Sequence, residues 1–422
     1  MLIVLVAIRA REVTAARGDH VHQDGMICRQ QTLQNEFDYP EAQVPGVAFA
    51  MESRVRVRHS FSLLGTGIYH RLMRTFLFLL LGGALAQAQW TPQTSGTTAS
   101  LRGISAVSGS VAWASGSGGT VLRTTDQGKT WQLIAVPQSK VPQAKVPQTE
   151  ALDFRAIRAF DENTAFVMSV GSGESSRIYK TADGGAHWDL SLQNKDPKGF
   201  FDAIAFWNPN QGVIMGDPVD GHIYVATTKD GGESWQPVDA ANLPAARPGE
   251  GAFAASGTCL VTRPDGLAWI ATGGTGGARV YRSTDWGHTW KAVETSIRHD
   301  GDASGIFSLA FCDTKHGIAV GGNYSKPVED TENVALTEDS GVSWSAPTAR
   351  PKGYRSGVAC VPGANEWIAT GTTGTDVSRD GGASWIHLSD EPFNAMSFAG
   401  SGYGWAVGPK GAIARLASSS GE

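Results

Sequence analysis

Seven β-rich segments of the sequence begin in a similar way, and one position of each can be placed in a common register. That position holds, in chain order, Arg102, Arg155, Asp202, Ser256, Phe307, Arg355 and Asn394. Asp153 and Glu250 lie just outside this set. If the segments surround one axis, three guanidinium groups and one carboxylate line its opening. Because arginine binds carboxylates and phosphates through paired hydrogen bonds, the opening is predicted to take an anionic ligand or an acidic peptide.

The same residues also allow a structural interpretation. Arg102, Arg155, Asp153 and Asp202 come from adjacent segments, so they can pair with one another and seal the opening. Nothing in the sequence separates this interpretation from the binding site, and both stay open.

Two of these carboxylates also suggest catalysis. A glycosidase needs a nucleophile and a general acid, usually two carboxylates about 5–10 Å apart, and Asp202 and Glu250 could supply them. The segment 217–221 (Asp-Pro-Val-Asp-Gly) offers oxygen ligands for calcium, although Asp-Pro is also typical of a tight turn. We expect no metal and no cofactor, because neither the His-Glu-x-x-His motif nor a glycine-rich nucleotide motif occurs.

A repeated eight-residue motif shows which elements position these residues. The pattern Ser/Thr-x-Asp-x-Gly-x-x-Trp occurs at 124–131, 181–188, 228–235, 283–290, 337–344 and 378–385. Its Asp carboxylate can accept hydrogen bonds from its own turn, and its Gly tolerates positive φ. Trp suits the gap between packed sheets. Six near-identical copies cannot all be one active site, so the motif is predicted to be a structural turn.

Short β-rich runs surround each motif and predict four strands per repeat, which is typical of a β-propeller. Three further runs follow the sixth motif without a seventh copy. Trp90 stands near the start of residues 89–422 in the place that the motif Trp would take. The sequence therefore predicts an all-β fold: one seven-bladed propeller over 89–422, closed by its N-terminal strand joining the last blade.

The residues before this region indicate export. Residues 73–88 contain a basic start, a short apolar run and small residues two apart, which predicts a signal peptide. Residues 1–72 are then expected to be a gene-model extension or disordered. The apolar run is too short to span a bilayer, so no transmembrane segment is expected. Processing leaves Cys259, Cys312 and Cys360, and an odd number without a Cys-x-x-Cys pair predicts buried apolar residues rather than a disulfide framework.

The repeated motif resembles the Asp box of BNR-type repeats, found in sialidases, xyloglucanases, sortilin-type receptors and the photosystem II stability/assembly factor-like family. The chain looks most like the last family, on the motif spacing and on segments 153–155 (Asp-Phe-Arg), 216–221 and 353–357. This resemblance implies a non-catalytic scaffold that binds a protein or peptide partner during assembly. It does not imply photosynthesis.

We therefore expect an exported, periplasmic or extracellular, binding or assembly protein. The alternative is a sialidase-like or other glycoside hydrolase acting on extracellular glycans. Against that alternative, sialidases have six blades and an Arg-Ile-Pro motif, whereas Arg102 is followed by Gly103 and Ile104. A formal net charge of -5 argues against a nucleic-acid partner, which would require a basic face.

Overall fold

The computed structural model describes residues 90–136, 152–364, 366–400 and 402–417. The expected signal peptide at 73–88 and the extension at 1–72 lie outside these residues. The described part of the chain is built from strands and contains no α-helix; it has three single-turn 3-10 helices, at Gly173–Ser175, Ala240–Asn242 and Pro409–Gly411. No described helix is long and apolar enough to cross a membrane.

The first half of the chain forms an initial strand and three four-stranded antiparallel blades. The initial strand is β1 (Trp90–Gln93). Blade 1 contains β2 (Leu101–Ala106), β3 (Ala112–Gly116), β4 (Thr120–Thr124) and β5 (Gln132–Leu133). Blade 2 contains β6 (Asp153–Ala159), β7 (Ala165–Val170), β8 (Arg177–Thr181) and β9 (Asp189–Gln193). Blade 3 contains β10 (Phe201–Asn208), β11 (Gln211–Val219), β12 (His222–Thr228) and β13 (Gln236–Pro237).

The second half begins with the short β14 (Glu250–Gly251). Blade 4 contains β15 (Leu260–Arg263), β16 (Leu267–Ala271), β18 (Arg279–Ser283) and β19 (Lys291–Glu294). The short β17 (Gly273–Gly274) lies between β16 and β18 in the chain but belongs to the next sheet. Blade 5 contains β20 (Ser304–Phe311), β21 (Gly317–Asn323) and β22 (Val334–Thr337), extended through β17 and β14. Blade 6 contains β23 (Gly357–Val361), β24 (Glu366–Gly371), β25 (Gly374–Ser378) and β26 (Ile386–Ser389). The last strands are β27 (Ala395–Ala399), β28 (Tyr403–Val407) and β29 (Ile413–Ala417).

The blades form a closed ring, so the prediction of a seven-bladed propeller is confirmed. The innermost strands contact one another in the order β2, β6, β10, β15, β20, β23 and β27, and β27 contacts β2. Blade 7 is made of β27, β28, β29 and, as its outer strand, β1. In that pairing Trp90 lies opposite Leu416, and Trp90 is buried beside Phe393. First and last strands of the propeller thus share one sheet, which leaves no open edge between them.

The antiparallel order of each blade gives the ring two faces. We call the face where the innermost strands begin the upper face, and the opposite one the lower face. The six repeat turns connect the third and fourth positions of blades 1 to 6, and therefore lie on the lower face. The candidate binding residues lie at the other end of the channel.

Each repeat turn is fastened by the same hydrogen bonds. In the turn at 228–235, Thr228 Oγ1 donates to Asp230 Oδ1 at 2.8 Å, and the Gly232 amide donates to Thr228 Oγ1 at 2.9 Å. The amide and hydroxyl of Ser234 donate to Asp230 at 2.9 and 2.6 Å. These bonds lower the pKa of Asp230 to about 2. Gly232 has φ +80°, a conformation that glycine adopts without strain.

Aromatic side chains fill the space between blades. Trp113, Trp269 and Trp405, on the second strands of their blades, are fully buried. Trp269 of blade 4 stacks on Phe311 of blade 5, with ring centroids 3.8 Å apart. Its indole N–H donates to Ser340 O, in a repeat turn of blade 5, at 2.8 Å. Such contacts join each sheet to the next.

A disulfide also joins two blades, and here the sequence-based prediction is wrong. Cys312 follows the innermost strand of blade 5 and is bonded to Cys360 in the innermost strand of blade 6, with Cα atoms 5.3 Å apart. Cys259 is free and buried, as expected. An odd number of cysteines does not indicate which two are bonded. These two are 48 positions apart in the chain, and only the packing of adjacent innermost strands brings them together.

Candidate functional site

Four of the seven register positions are built by β-bulges. The strand register shifts at Arg102, Arg155, Asp202 and Phe307, each of which is the extra residue of its innermost strand. A bulge bends the strand and redirects the side chain of the extra residue. Four blades therefore use the same local device at the upper end of the channel.

Two arginines lie together on the blade 1 and blade 2 side of this upper channel mouth. Arg155 Nε donates to Asp153 Oδ2 at 2.8 Å, and Arg155 Nη1 donates to Ala254 O at 3.2 Å. Burial and the positive charge of Arg155 lower the pKa of Arg102, while Asp153 opposes this effect. Arg102 Nε and Asp153 Oδ1 are buried and have no hydrogen-bond partner among the described residues. The pair of arginines is thus only partly neutralised by protein groups.

An aromatic cluster lies on the opposite side of the mouth. Phe253 stacks on Phe307 with centroids 3.9 Å apart, and Tyr354 meets Phe307 edge-on at 4.8 Å. Tyr324 contacts both phenylalanines at 6.5 and 6.1 Å and remains 52% exposed. Burial raises the pKa of Tyr354, and the charges of Arg102 and Arg155 oppose this shift. Arg155 bonds Ala254 O, directly after Phe253, so the aromatic cluster and the arginines border the same part of the mouth.

The backbone beneath this cluster needs glycine. The short pair β14–β17 carries the chain toward Phe253, and Gly273 of β17 pairs with Gly305 of β20. A Cβ added to Gly273 would lie 2.7 Å from the Gly305 Cα. Two glycines thus allow the segment that holds Phe253 to approach blade 5 closely enough for its ring to reach Phe307.

Asp202 is at the mouth but is deeply buried. The residue is 1% exposed, and neither carboxylate oxygen has a well-formed hydrogen bond among the described residues. Burial raises its pKa well above the usual value, and the nearby Asp217 carboxyl adds to this rise. Arg155 opposes the rise without abolishing it. Asp202 is therefore protonated more readily than an exposed aspartate.

Arg355 does not join the other two arginines. Its side chain is fully buried in blade 6, where Nε donates to Asp376 Oδ2 at 2.8 Å and Nη1 donates to Thr373 Oγ1 at 2.7 Å. A second guanidinium nitrogen also bonds Asp376. Asp376 in turn accepts from Lys352 N and contacts His387. The expected third arginine of the mouth is therefore part of an internal ion pair, because a carboxylate on β25 attracts it into the sheet.

The Glu250 side chain is also buried and bonded in the interior. Its side chain is wholly buried, pairs with Arg279 through both oxygens, and accepts from Thr272 Oγ1 at 2.7 Å and Tyr281 Oη at 3.1 Å. Although burial alone would raise it, these donors lower the pKa of Glu250. Because Glu250 is enclosed and Asp202 is buried, the two do not form an accessible pair of carboxylates.

The two remaining register residues bond the backbone of other blades: Ser256 links blade 4 to blade 6, and Asn394 links blade 7 to blade 1. Ser256 Oγ donates to Ser356 O at 2.9 Å, and Asn394 Nδ2 donates to Leu101 O at 2.8 Å. Both side chains are buried and satisfied by backbone groups. They hold the ring together rather than face a ligand.

The possible calcium segment is a turn. Asp220 and Gly221 both have positive φ, of 51° and 85°, in the hairpin between β11 and β12. Asp217 instead accepts from the Ala252 amide at 2.9 Å. Over the residues that the structure describes, no group of three or more His, Cys, Asp or Glu side chains is placed to hold a metal ion.

Sequence reasoning missed the aromatic half of the site. The set of register residues does not include Phe253, Tyr324 or Tyr354. Tyr354 nevertheless directly precedes Arg355, and Phe253 lies three residues before Ser256. Aromatic residues shortly before an innermost strand are the sequence signal that would have predicted this half of the site. The described residues thus define a seven-bladed β-propeller whose upper channel mouth combines partly neutralised arginines with exposed aromatic surface.

Solved structures share this fold. The chain is similar to a structure described as YCF48 bound to D1 peptide, with 18% identity and a TM-score of 0.54, covering 78% of this chain and 97% of that chain. It is also similar to YCF48 from Cyanidioschyzon merolae, with 17% identity and a TM-score of 0.56, covering 78% and 99%. At the level of the fold, these matches confirm the resemblance to the photosystem II assembly factors.

Enzymes share the same architecture. An ancestral GH74 enzyme matches with 14% identity and a TM-score of 0.55, covering 78% of this chain and 46% of that chain. No family model and no curated protein matches the sequence. At these identities the likeness concerns the fold, and the function must be argued from the site.

Proposed function

We propose that the chain is an exported, non-catalytic binding protein that captures a polypeptide partner at the upper channel mouth. The observation that carries this proposal is that Arg155, next to Arg102 of the neighbouring blade, bonds Ala254 O directly after Phe253, and that Phe253 in turn contacts the exposed Tyr324. A surface of this kind suits a peptide segment that has a carboxylate next to an apolar side chain. The likeness to a propeller described as bound to a D1 peptide supports a peptide partner.

The chemistry of the two sides is complementary. Arg102 Nε lacks a partner and Arg155 shares one carboxylate, so an incoming carboxylate would gain charge-assisted hydrogen bonds. Phe253 and Phe307 form a preformed apolar floor, with Tyr324 at its open edge. Aromatic and arginine side chains in such settings commonly dominate binding energy.

Export is supported by the disulfide between Cys312 and Cys360. Disulfides persist in oxidising compartments such as the periplasm and the extracellular space, and are rare in the cytosol. The apolar run at 76–81, with its basic start and small residues after it, supports the same proposal. We therefore propose a periplasmic or extracellular location.

A glycoside hydrolase remains the competing class, but the site gives it little support. Its mechanism needs two carboxylates flanking a substrate. Of the pair named for that role, Glu250 is enclosed by Arg279, Thr272 and Tyr281, and Asp202 is buried. An approach by a sugar would first have to break the Glu250 ion pair.

The proposal is tested with a defined peptide library. Fluorescent peptides that contain an acidic residue beside an aromatic or aliphatic one are titrated against the purified chain, with amidated peptides of matching sequence as references. We expect Arg102→Gln and Arg155→Gln each to weaken binding of the acidic peptides by roughly tenfold, which is the effect of losing a charged hydrogen bond. Arg350→Gln, an exposed arginine between blades 5 and 6, should leave binding unchanged. Equal binding by all variants would contradict the proposal.

A further inference from the structure

Two tryptophan rings meet on the lower face, between blades 3 and 4. Trp207 is the last residue but one of β10, and Trp286 lies in the repeat turn of blade 4. Their ring centroids are 5.5 Å apart and the ring planes are inclined by 64°, so the edge of one ring approaches the face of the other. Both residues remain partly exposed. The pair therefore presents aromatic surface on the face opposite the peptide site.

Two unusual backbone features bring these rings together. The register between β10 and β11 shifts at Trp207, which makes it the extra residue of a second bulge in that strand and redirects its side chain. Trp286 has φ +62°, in the left-handed region that bulky residues rarely adopt. At the same position, the repeat turns of the other blades carry small or polar residues: Gln127, Gly184, Gly231, Ser340 and Gly381. The turn itself thus does not require a tryptophan, and strain of this kind is concentrated at functional sites.

The surroundings fix both tryptophans and leave one indole N–H free. Trp207 Nε1 donates to Leu267 O at 2.7 Å, and the Trp286 amide donates to Gly266 O at 3.0 Å. A Cβ added to Gly266 would lie 2.9 Å from Trp286 Cδ1, so glycine lets the Trp286 ring lie against the turn between β15 and β16. Trp286 Nε1 has no hydrogen-bond partner among the described residues. The aromatic pair is therefore preformed and keeps a donor for a ligand.

A cleft of about 480 Å³ adjoins the tryptophan pair. Gly287 lies between them: a Cβ added there would be 3.2 Å from both Trp207 Cη2 and Thr227 Cγ2. Thr227 lines the cleft, and so does His288, which is two residues after Trp286. The tip of the Trp207 ring and the wall of the cleft thus meet at Thr227. We call the tryptophan pair together with this cleft the lower groove.

Polar side chains in the cleft are available to a ligand. Four exposed side chains of its lining make no hydrogen bond or ion pair within the described part of the chain: Lys229, Gln236, Asn242 and His288. Asp230 also lines the cleft, but its carboxylate fastens its own repeat turn. Amide and imidazole groups can both donate and accept hydrogen bonds, as the hydroxyl groups of a sugar do. The lining is therefore suited to a ligand rich in hydroxyl groups.

We propose that the lower groove binds a neutral oligosaccharide. The face of a tryptophan ring carries partial negative charge, which attracts the C–H groups on the flat side of a sugar ring. A sugar held there extends its hydroxyl groups toward the amide and imidazole side chains of the cleft. The lining contains one lysine and two aspartates, Asp230 and Asp239, so no strong excess of charge favours an ionic ligand. The groove is independent of the peptide site, because it lies on the opposite face.

The test is isothermal titration of the full chain with cellotetraose, chitotetraose and maltotetraose, one at a time. We expect one oligosaccharide bound per chain, and the tightest of the three indicates the sugar unit and linkage. A neutral proline-rich peptide is titrated alongside, because aromatic grooves also bind extended proline-rich segments. Binding of that peptide without binding of any oligosaccharide would overturn the proposal, and so would the absence of all binding.

A substitution of Trp286 locates the site without altering the turn. Trp286→Gly introduces the residue that blades 2, 3 and 6 carry at this position. It should weaken oligosaccharide binding by roughly tenfold, which is the effect of losing an aromatic contact, and should leave the melting temperature close to that of the parent. Gln127→Gly, at the same position of blade 1, is the matched control and should bind as the parent does. Parent-like binding by Trp286→Gly would refute the assignment.

A second variant keeps the test decisive if Trp286→Gly fails to fold. His288→Ala removes an exposed side chain of the cleft and should weaken oligosaccharide binding by about fivefold at an unchanged melting temperature. Lys129→Ala, at the same position of the blade 1 repeat turn, is its control and should have no effect. Unchanged affinity of His288→Ala would exclude the cleft from the site and overturn the proposal.

Discussion

A substitution of Arg355 tests whether this buried arginine stabilises the fold instead of binding a ligand. The side chain is fully buried and its guanidinium bonds Asp376, Thr373 and the Tyr354 carbonyl. Arg355→Ala leaves the buried Asp376 carboxylate without its main cation. Breaking a buried ion pair in this way costs about 3–5 kcal/mol, so the free energy of unfolding should fall by that amount.

The assay is equilibrium unfolding in urea, followed by tryptophan fluorescence, with the slope checked for constancy between variants. Arg379→Ala is the control, because it breaks the exposed pair with Glu366 and should cost less than about 1 kcal/mol. Replacing both partners, Arg355→Met with Asp376→Leu, should recover most of the loss, since no charge is then left buried. The reasoning is refuted if Arg355→Ala costs no more than Arg379→Ala.

Three further predictions follow from other parts of the ring. Replacing Cys312 and Cys360 by Ser should lower the free energy of unfolding by about 4 kcal/mol, because the unfolded chain regains the entropy that closing a 48-residue loop removes. A reductant should then have no further effect on unfolding in guanidinium chloride. The repeat-turn carboxylates should contribute stability that is present above about pH 4 and is lost as the pH falls toward 2, because Asp230 and its equivalents have folded-state pKa values below their unfolded value of 3.8; a melting temperature that increases from pH 4 to pH 2 would contradict this. Tyr324→Ala should weaken binding of the acidic peptides by roughly tenfold while leaving the melting temperature unchanged, and unaltered affinity would remove Tyr324 from the site.

The blades could be predicted from the sequence because their key interactions are local. In each repeat turn the hydroxyl, the carboxylate and the positive-φ glycine lie within five residues, as with Thr228, Asp230 and Gly232. A pattern of this length can be recognised wherever it occurs, and six copies determine the number of blades once the last three strands are counted. The sequence also marks where some innermost strands begin, as at Arg102, Arg155 and Asp202, which are the extra residues of such strands.

The directions of the side chains could not be predicted, because they depend on residues distant in the chain. Arg155 and Arg355 occupy the same register position, yet Arg155 pairs with Asp153 two residues away and stays at the mouth. Arg355 instead pairs with Asp376, which lies 21 residues further along on another strand. The sequence likewise predicts Glu250 just outside the ring of register residues, whereas Arg279 pairs with it in the interior. Only the folded sheet shows which partner each charge finds.

The most direct test of the account is hydrogen–deuterium exchange of the chain with and without a saturating acidic peptide. The account predicts slower exchange at segments 250–256, 304–308 and 353–356, which carry the upper-mouth backbone, and no change in the repeat turns of the lower face. Protection confined to the lower face or to the outer strands would contradict peptide capture at the upper channel mouth.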